Sequence, residues 1–451
     1  MKKYEAYKNS GVQWVGEIPA HWKTVQFKRQ FSFGRGLSIT KSDLVEKGIP
    51  VISYGQIHSK LNTGTKIEKH LLRYVPESYI DGNDASRVNE GDFIFADTSE
   101  DLNGCGNCVY VDNDSILYAG YHSIIARSLQ HSHTKYLAYL FKTDCWRSQV
   151  RSAVNGVKVF SITQNTLAET TVLIPPIAEQ QAIASYLDHK VGKIDTAIVE
   201  KENLLKDLKA YRSAIISEVV TKGLDKNVEM KDSGIEWIGM IPKHWNVNKL
   251  KFFADISTGT TPSTANEEYW NEPTENWYTP SDFNEDNICL GASSRRVSTT
   301  AFEESACRVF KKNVVLVVGI GATLGKIGIS SVECSANQQI NAIEFYDSVY
   351  PLFGAYYLFS LKEVMKSLAS AATLAIMNQS VTGGIPFVCP TYDEQRIIAD
   401  YLEKRTKAIA SSIDEIEKQI DDLKSYKSAL ITEAVTGKLD LREWKPKEET
   451  A

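Results

Sequence analysis

Ser10-Gly11-Val12-Gln13-Trp14-Val15-Gly16-Glu17-Ile18-Pro19-Ala20-His21-Trp22 stands near the start of the chain, and Ser233-Gly234-Ile235-Glu236-Trp237-Ile238-Gly239-Met240-Ile241-Pro242-Lys243-His244-Trp245 follows at an offset of 223. The shared frame is S-G-x-x-W-x-G-x-I-P-x-H-W. Agreement at two tryptophans, two glycines, a proline and a histidine is far beyond chance. An internal repeat fixes architecture before any local reading does.

Working outward, a longer match follows each frame. Pro175 to Asp225 aligns without a gap on Pro390 to Asp440, at an offset of 215. Glu179-Gln180 matches Glu394-Gln395, Tyr186-Leu187 matches Tyr401-Leu402, and Asp207-Leu208-Lys209 matches Asp422-Leu423-Lys424. Between these anchors, residues ~30–160 and ~255–375 share little beyond Gly36 with Gly259 and Gln164 with Gln379. The order is therefore variable, fixed, variable, fixed. A duplicated scaffold presents two different surfaces.

The second fixed segment predicts a long helix. It opens after Pro175-Pro176 or Pro390, where a helix can start but not continue backwards. Ile409, Ile413, Ile416, Ile420, Leu423, Leu430 and Ala434 make a heptad seam. Ile194, Ile198, Leu205, Leu208, Ile215 and Val219 keep that register in the first copy. Lys201, Arg212 and Lys427 interrupt the seam; long stems of this kind cover apolar surface while their heads reach water. Each helix needs a partner, and the other copy is the natural one, although packing of each on its own globular domain is the alternative. The seam spans roughly 40 Å at 1.5 Å per residue.

The variable segments read as mixed α/β. Val51–Tyr54, Asp92–Ala96, Asn107–Val111, Val314–Val318 and Lys326–Ile329 are strand-like, while Tyr136–Phe141 and Leu352–Leu358 are helical in pattern. The fold class expected is thus mixed α+β: two variable domains and two long helices. The divisions are 1–178 for the first domain, 179–222 for a central helix and 223–232 for a linker. They continue with 233–393 for the second domain, 394–437 for the last helix and 438–451 for a tail.

Composition bounds the function. The 451 residues carry a net charge of -5, with 43% hydrophobic and 24% charged residues, ordinary for a soluble globular protein of about two to three domains. No window reaches the ~18 apolar residues of a membrane span, and the polar start gives no secretory signal; the expected compartment is cytoplasmic. Seven scattered cysteines argue against a disulfide framework. Cys105 and Cys108 form a lone C-x-x-C pair without the further ligands of a zinc site, so no metal is expected. A basic footprint, usual in a free-standing DNA binder, is absent from the chain taken whole.

Chemistry-bearing motifs fail on inspection. Gly319-Ile320-Gly321-Ala322-Thr323-Leu324-Gly325-Lys326 lacks the four-residue glycine spacing of a phosphate loop, Ile327 stands where Ser or Thr is needed, and Leu324 occupies the third glycine of the dinucleotide pattern. A tight loop between strands is the better reading. Asp393-Glu394-Gln395-Arg396 is a helix start, where acidic residues favour the dipole. His21 and His244 lie inside the repeated frame, beside paired tryptophans, and fit an anchor rather than catalysis. No catalytic residue is assigned.

The twice-repeated W-x-G-x-I-P-x-H-W frame, the segment I-P-P-I-A-E-Q-Q-x-I-A-x-Y-L and the segment D-L-K-x-Y-R-S-A-I-I-S-E-V-V-T-x-G-L-D together resemble the specificity subunit of type I restriction-modification systems, over essentially the whole chain. The resemblance implies two target-recognition domains, each reading half of a split double-stranded DNA target, joined by the two long helices, which pair as an antiparallel coiled coil and act as a ruler. Its implied partners are two methyltransferase subunits, which bind S-adenosylmethionine and methylate adenine, and restriction subunits, which use ATP. No cofactor is expected in this chain and no membrane is expected as a partner.

Base-reading positions are not carried by the resemblance. Polar and basic residues in glycine-rich loops are the candidates: Arg35, Lys41, Gln56, Lys60 and Arg73 in the first module, and Thr260, Ser263, Ser281, Arg295, Arg296 and Lys326 in the second. Arg and Lys suit guanine edges or phosphates; Gln and Ser suit base edges. A coiled-coil scaffold that never meets DNA and a stand-alone DNA-binding regulator are the competing functions.

Overall fold

The computed structural model describes residues 2–129, 134–156, 158–284, 286–370 and 376–445. Two compact units emerge: Met1–Glu200 with Ile420–Ala451, and Lys201–Gln419. Both are mixed α/β.

In the first unit the frame makes a hairpin, with Tyr7–Asn9 antiparallel to Glu17–Pro19. Gly11 and Gly16 hold φ of +74° and +71° in its loop, with open space where a Cβ would stand; the backbone conformation, not crowding, requires glycine there. Behind the hairpin, Lys23–Gln26 pairs antiparallel with Thr171–Ile174, so the start of the variable segment is tied to its end. A four-stranded antiparallel sheet follows, in the order Cys108–Tyr110, Phe93–Ala96, Ser123–Ser128, Phe31–Arg35. A second sheet runs Arg73–Val75, Ile49–Ile52, Leu117–Ala119, Arg87–Val88, with Leu117–Ala119 parallel to Ile49–Ile52. Strand alternation puts Ile94, Val109 and Ile125 of the first sheet against Ile52, Val88 and Leu117 of the second in one core.

The second unit repeats this plan. Met230–Asp232 pairs with Met240–Pro242, and Asn246–Lys249 with Pro386–Cys389. Its four-stranded sheet is Ala254–Thr258, Ile340–Phe345, Val315–Val318, Ile327–Ile329; its smaller sheet is Arg296–Val297, Glu275–Tyr278, Ser335–Ala336. The glycine-rich segment 319–326 turns the chain between Val315–Val318 and Ile327–Ile329, with Leu324 buried. Its pattern therefore belongs to a strand connection.

The long helices are Ile177–Lys222 and Tyr392–Val435. Their seam positions Ile194, Ile198, Ile215, Val219, Ile409, Ile413, Ile416, Ile420, Leu430 and Ala434 are buried. The polar interruptions are bonded. Lys427 Nζ reaches Asp195 Oδ1 at 2.6 Å in the first unit. In the second, Lys201 Nζ meets Gln419 Oε1 at 2.6 Å, Lys209 Nζ meets Glu417 Oε1 at 3.3 Å, and Arg405 donates to Tyr211 Oη at 3.1 Å. Numbers rise along one helix as they fall along the other. Arg212 turns aside to Asp286, at 2.6 Å.

Each module is joined to its helix start by the frame. Glu179, buried, accepts from Trp22 Nε1 and Tyr4 Oη, both at 2.9 Å, and lies 2.7 Å from His21 Nε2. Glu394 repeats the arrangement with Trp245 Nε1 at 3.2 Å and His244 Nε2 at 2.8 Å. The two histidines are anchors, bonded to the carboxylate that the sequence places at each helix start.

Candidate nucleic-acid interface

In the second unit the strand Ala254–Thr258 runs into the segment Gly259-Thr260-Thr261-Pro262-Ser263, in which Thr260, Thr261 and Ser263 are exposed and which lies like a strap across the smaller sheet. Two indoles pin it. Trp277 Nε1 donates to the Thr260 carbonyl at 3.0 Å and Trp270 Nε1 to the Ser263 carbonyl at 3.2 Å. The rings meet edge to face, with centroids 5.6 Å apart. Trp277 is placed by its strand, Glu275–Tyr278; Trp270 closes the short turn Glu267–Tyr269, which Asn266 caps.

Arg295 lies over both rings, its guanidinium carbon 5.0 Å from the Trp270 centroid and 5.1 Å from that of Trp277. A guanidinium held beside indole rings by cation–π attraction keeps N–H donors for a further acceptor. The loop before it is fixed by Asp282, whose carboxylate accepts the Ser294 N–H at 2.7 Å and the Thr279 N–H at 2.7 Å. Burial pushes the Asp282 carboxyl up, but the donors of Ser294 and Thr279 outweigh it and hold the group below the usual carboxylate range. The next residue, Arg296, begins the exposed edge strand.

Three hydrogen bonds complete the strap. The Arg308 backbone N–H donates to Thr260 Oγ1 at 2.7 Å, Thr261 Oγ1 donates to Gln338 Oε1 at 2.6 Å, and Gln379 Nε2 donates to Thr258 Oγ1 at 2.9 Å. The result is an exposed surface of hydroxyls, carboxamides and arginines, the groups that bond base edges and phosphates, backed by the half-buried Trp270 and the buried Trp277.

Thr260, Ser263 and Arg295, singled out from sequence, are thus brought together, and Arg296 adjoins them. Ser281 sits on the capping turn Pro280–Asp282, with its hydroxyl 2.8 Å from Thr279 Oγ1. Lys326 is half-buried and its Nζ donates to the Phe283 carbonyl at 3.1 Å, bracing a loop. Trp270, Trp277, Arg308 and Gln338 were not among the candidates. A tryptophan in a variable segment reads equally well as core, and only the fold brings Gln338 to Thr261.

The first unit differs. No hydrogen bond or ring contact among the described residues joins Arg35, Lys41, Gln56, Lys60 and Arg73 to one another. Arg35 ends its strand and Lys60 follows a short helix, both exposed. Lys41 rides on a capping turn in which the N–H and hydroxyl of Thr40 and the Tyr79 phenol hold the Asp43 carboxyl below the usual range. Gln56 Oε1 accepts the Ser53 N–H at 3.2 Å, so one end of its carboxamide is committed to a cap. Arg73 donates to the carbonyls of Leu72 and His70 at 2.8 and 3.0 Å. It opens the edge strand opposite Val51, as Arg296 opens its counterpart opposite Asn276.

Cys105 and Cys108 are free, buried thiols; burial pushes Cys108 up to about 12. Among the described residues no group of three His, Cys, Asp or Glu side chains could hold a metal ion, and no helix is long and apolar enough to cross a membrane.

Residues 19–206 and 242–421 match the family described as type I restriction modification DNA specificity domain. The type I restriction enzyme MjaIX specificity subunit of Methanocaldococcus jannaschii is 31% identical over 37% of this chain and 38% of its own length. The type I restriction enzyme StySPI specificity subunit of Salmonella potsdam is 20% identical over 94% of this chain and 90% of its own. A solved chain from a study of assembly and conformational transition in the type I R-M system superposes with a TM-score of 0.70. It has 18% identity, covering 94% of this chain and 99% of that one, and so shares the fold. The two matched stretches begin and end at equivalent points of the repeat, Pro19 with Pro242 and Lys206 with Asp421, and the chain belongs to the family of type I restriction-modification DNA specificity domains.

Proposed function

We propose that this chain supplies DNA sequence specificity to a type I restriction-modification enzyme. Each variable segment addresses one half of a bipartite duplex target. The observation that carries this reading is a pair of unlike polar surfaces on like scaffolds: Arg295 held over Trp270 and Trp277 in one unit, and dispersed Arg35, Lys41 and Lys60 in the other.

The long helices, read as an antiparallel coiled coil, serve as the spacer. Their ~40 Å seam is of the scale of half-sites one turn of duplex apart, ~34–36 Å. Methylation and cleavage belong to partners: two methyltransferase subunits with S-adenosylmethionine, which take the adenine from the stack, and restriction subunits with ATP. Those partners also enclose the duplex, which accommodates the acidic balance of this chain.

Methylation mapping of cells with and without the protein tests the reading. A split motif carrying methyladenine that disappears with the gene is the expected result. An unchanged methylome in cells that contain active partner subunits sinks it and favours a scaffold.

A further inference from the structure

In each unit a short turn links the strand that runs parallel to its neighbour with the inner strand of the four-stranded sheet. It spans Gly120–Ser123 in one and Asn337–Ile340 in the other. Backbone hydrogen bonds place the two turns residue for residue. The Gly120 N–H donates to Ile52 O at 2.7 Å and the Asn337 N–H to Tyr278 O at 2.9 Å. His122 O accepts from Asp97 at 3.3 Å and Gln339 O from Gly319 at 2.8 Å. Ser123 O accepts from Gly36 at 3.3 Å and Ile340 O from Gly259 at 3.0 Å. Tyr121 therefore corresponds to Gln338, and His122 to Gln339.

Gly36 and Gly259 make room for these turns. A Cβ on Gly36 would stand 1.9 Å from Gly120 O, and one on Gly259 would stand 2.3 Å from Ala336 O. The scaffold around the turn is thus kept identical while its side chains differ entirely.

Those side chains are exposed and chemically opposite. Gln338 Oε1 is occupied by the Thr261 hydroxyl, so the group it offers is its amide donor. His122 holds φ at +53°, a left-handed conformation that non-glycine residues adopt at a cost. Its Nδ1 lies 3.3 Å from Asp97 Oδ1. As a neutral ring, the exposed imidazole carries one acceptor nitrogen.

We infer that this turn is the specificity-determining position of each unit, with Gln338 donating to a base edge in one half-site and His122 accepting from a base edge in the other. The inference rests on the proposed DNA-reading function. A donor at Gln338 suits a major-groove acceptor, purine N7, guanine O6 or thymine O4; an acceptor at His122 suits the amino group of cytosine or adenine.

The test uses the full chain expressed with its methyltransferase subunits, and reads the methylated motif by sequencing. Gln338→Ala is expected to relax discrimination about tenfold or more at one or two adjacent base pairs of one half. Gln338→Glu, similar in size but an acceptor, moves preference there toward a base with an amino group. His122→Asn, which tolerates the positive φ, alters the other half alone. If Gln338→Ala fails to accumulate, Gln338→Glu decides. An unchanged motif in Gln338→Glu and His122→Asn, or a loss spread evenly over all positions, overturns the inference and leaves the specificity function standing. A wild-type complex that methylates no split motif overturns both.

Discussion

Trp22 Nε1 donates to Glu179 Oε2 at 2.9 Å across a separation of 157 residues, and this bond joins the two repeated parts of the first unit. The carboxylate is buried and also holds the Tyr4 hydroxyl; burial and the adjacent Glu179 push that phenol far up, so it stays a donor. Glu179→Ala strands two buried donors, and losing such partners costs about 2–4 kcal/mol in total. Glu179→Gln, which keeps the shape and one acceptor, is expected to recover about half. Urea unfolding of the three proteins measures this; equal midpoints would show that the frame does not depend on Glu179.

The same junction in the second unit gives a pH dependence. Burial pushes the Glu394 carboxyl up, but donors from Thr391, His244 and Trp245 outweigh it and hold the group below the usual carboxylate range. A depressed folded pKa means that this stabilisation is fully present above the unfolded value, about 4.3, and is lost as pH falls through the folded value. Glu394→Gln should therefore narrow the stability gap to wild type as pH drops from 6 toward 3. A gap that stays constant over that range argues against the ionised junction.

How much of this was legible depended on repetition. The frame, the two helix starts and the seam appear twice, so Trp22, Glu179 and Ile413 could be placed without a structure. The echo of Gly36 in Gly259 was visible too, although its cause, a backbone passing 1.9 Å from the absent Cβ of Gly36, was not. The strap residues escaped because nothing local marks them: Gln338 reaches Thr261 across 77 residues, and Trp270 looks like core until its indole is seen bonded to a loop carbonyl. Lys326 shows the converse. A lysine after glycines resembles a phosphate ligand, and only the fold reveals that its Nζ also donates to the Phe283 carbonyl.

Gly437 offers a sharp test of how the first unit is closed. It holds φ of +72° after the last long helix, and its missing Cβ would lie 2.3 Å from Pro19 Cδ. Beyond it, the Asp440 N–H donates to Lys2 O at 3.0 Å, and Trp444 packs edge-on against Tyr186 with centroids 5.3 Å apart. Gly437→Ala combines a strained conformation, which alone costs about 1 kcal/mol, with that collision. We expect a fall of several degrees in Tm and faster hydrogen exchange in Lys2–Pro19. Gly55→Ala, where a Cβ meets nothing within 4 Å, is the control. Equal Tm values for the two variants would contradict the packing described.

Under the proposed function, Arg295 and Arg296 are candidates for DNA contact. Arg295 is held over Trp270 and Trp277, and Arg296 starts the exposed edge strand beside it. Both side chains are exposed, so replacing them by alanine removes two cations and the contacts to Trp270 and Trp277 with little expected change in thermal stability. Binding by the complete methyltransferase complex should weaken about tenfold or more, as expected when a phosphate or base contact is lost. Footprint protection should be lost over one half-site only. Arg295→Lys alone separates charge from geometry: an ammonium keeps the charge but neither stacks as a plane nor donates bidentately. Lysine should restore the salt dependence but not the selectivity for that half-site. An intact footprint over both halves in the double variant would remove Arg295 and Arg296 from the interface and leave Arg308 and the strap hydroxyls to carry it.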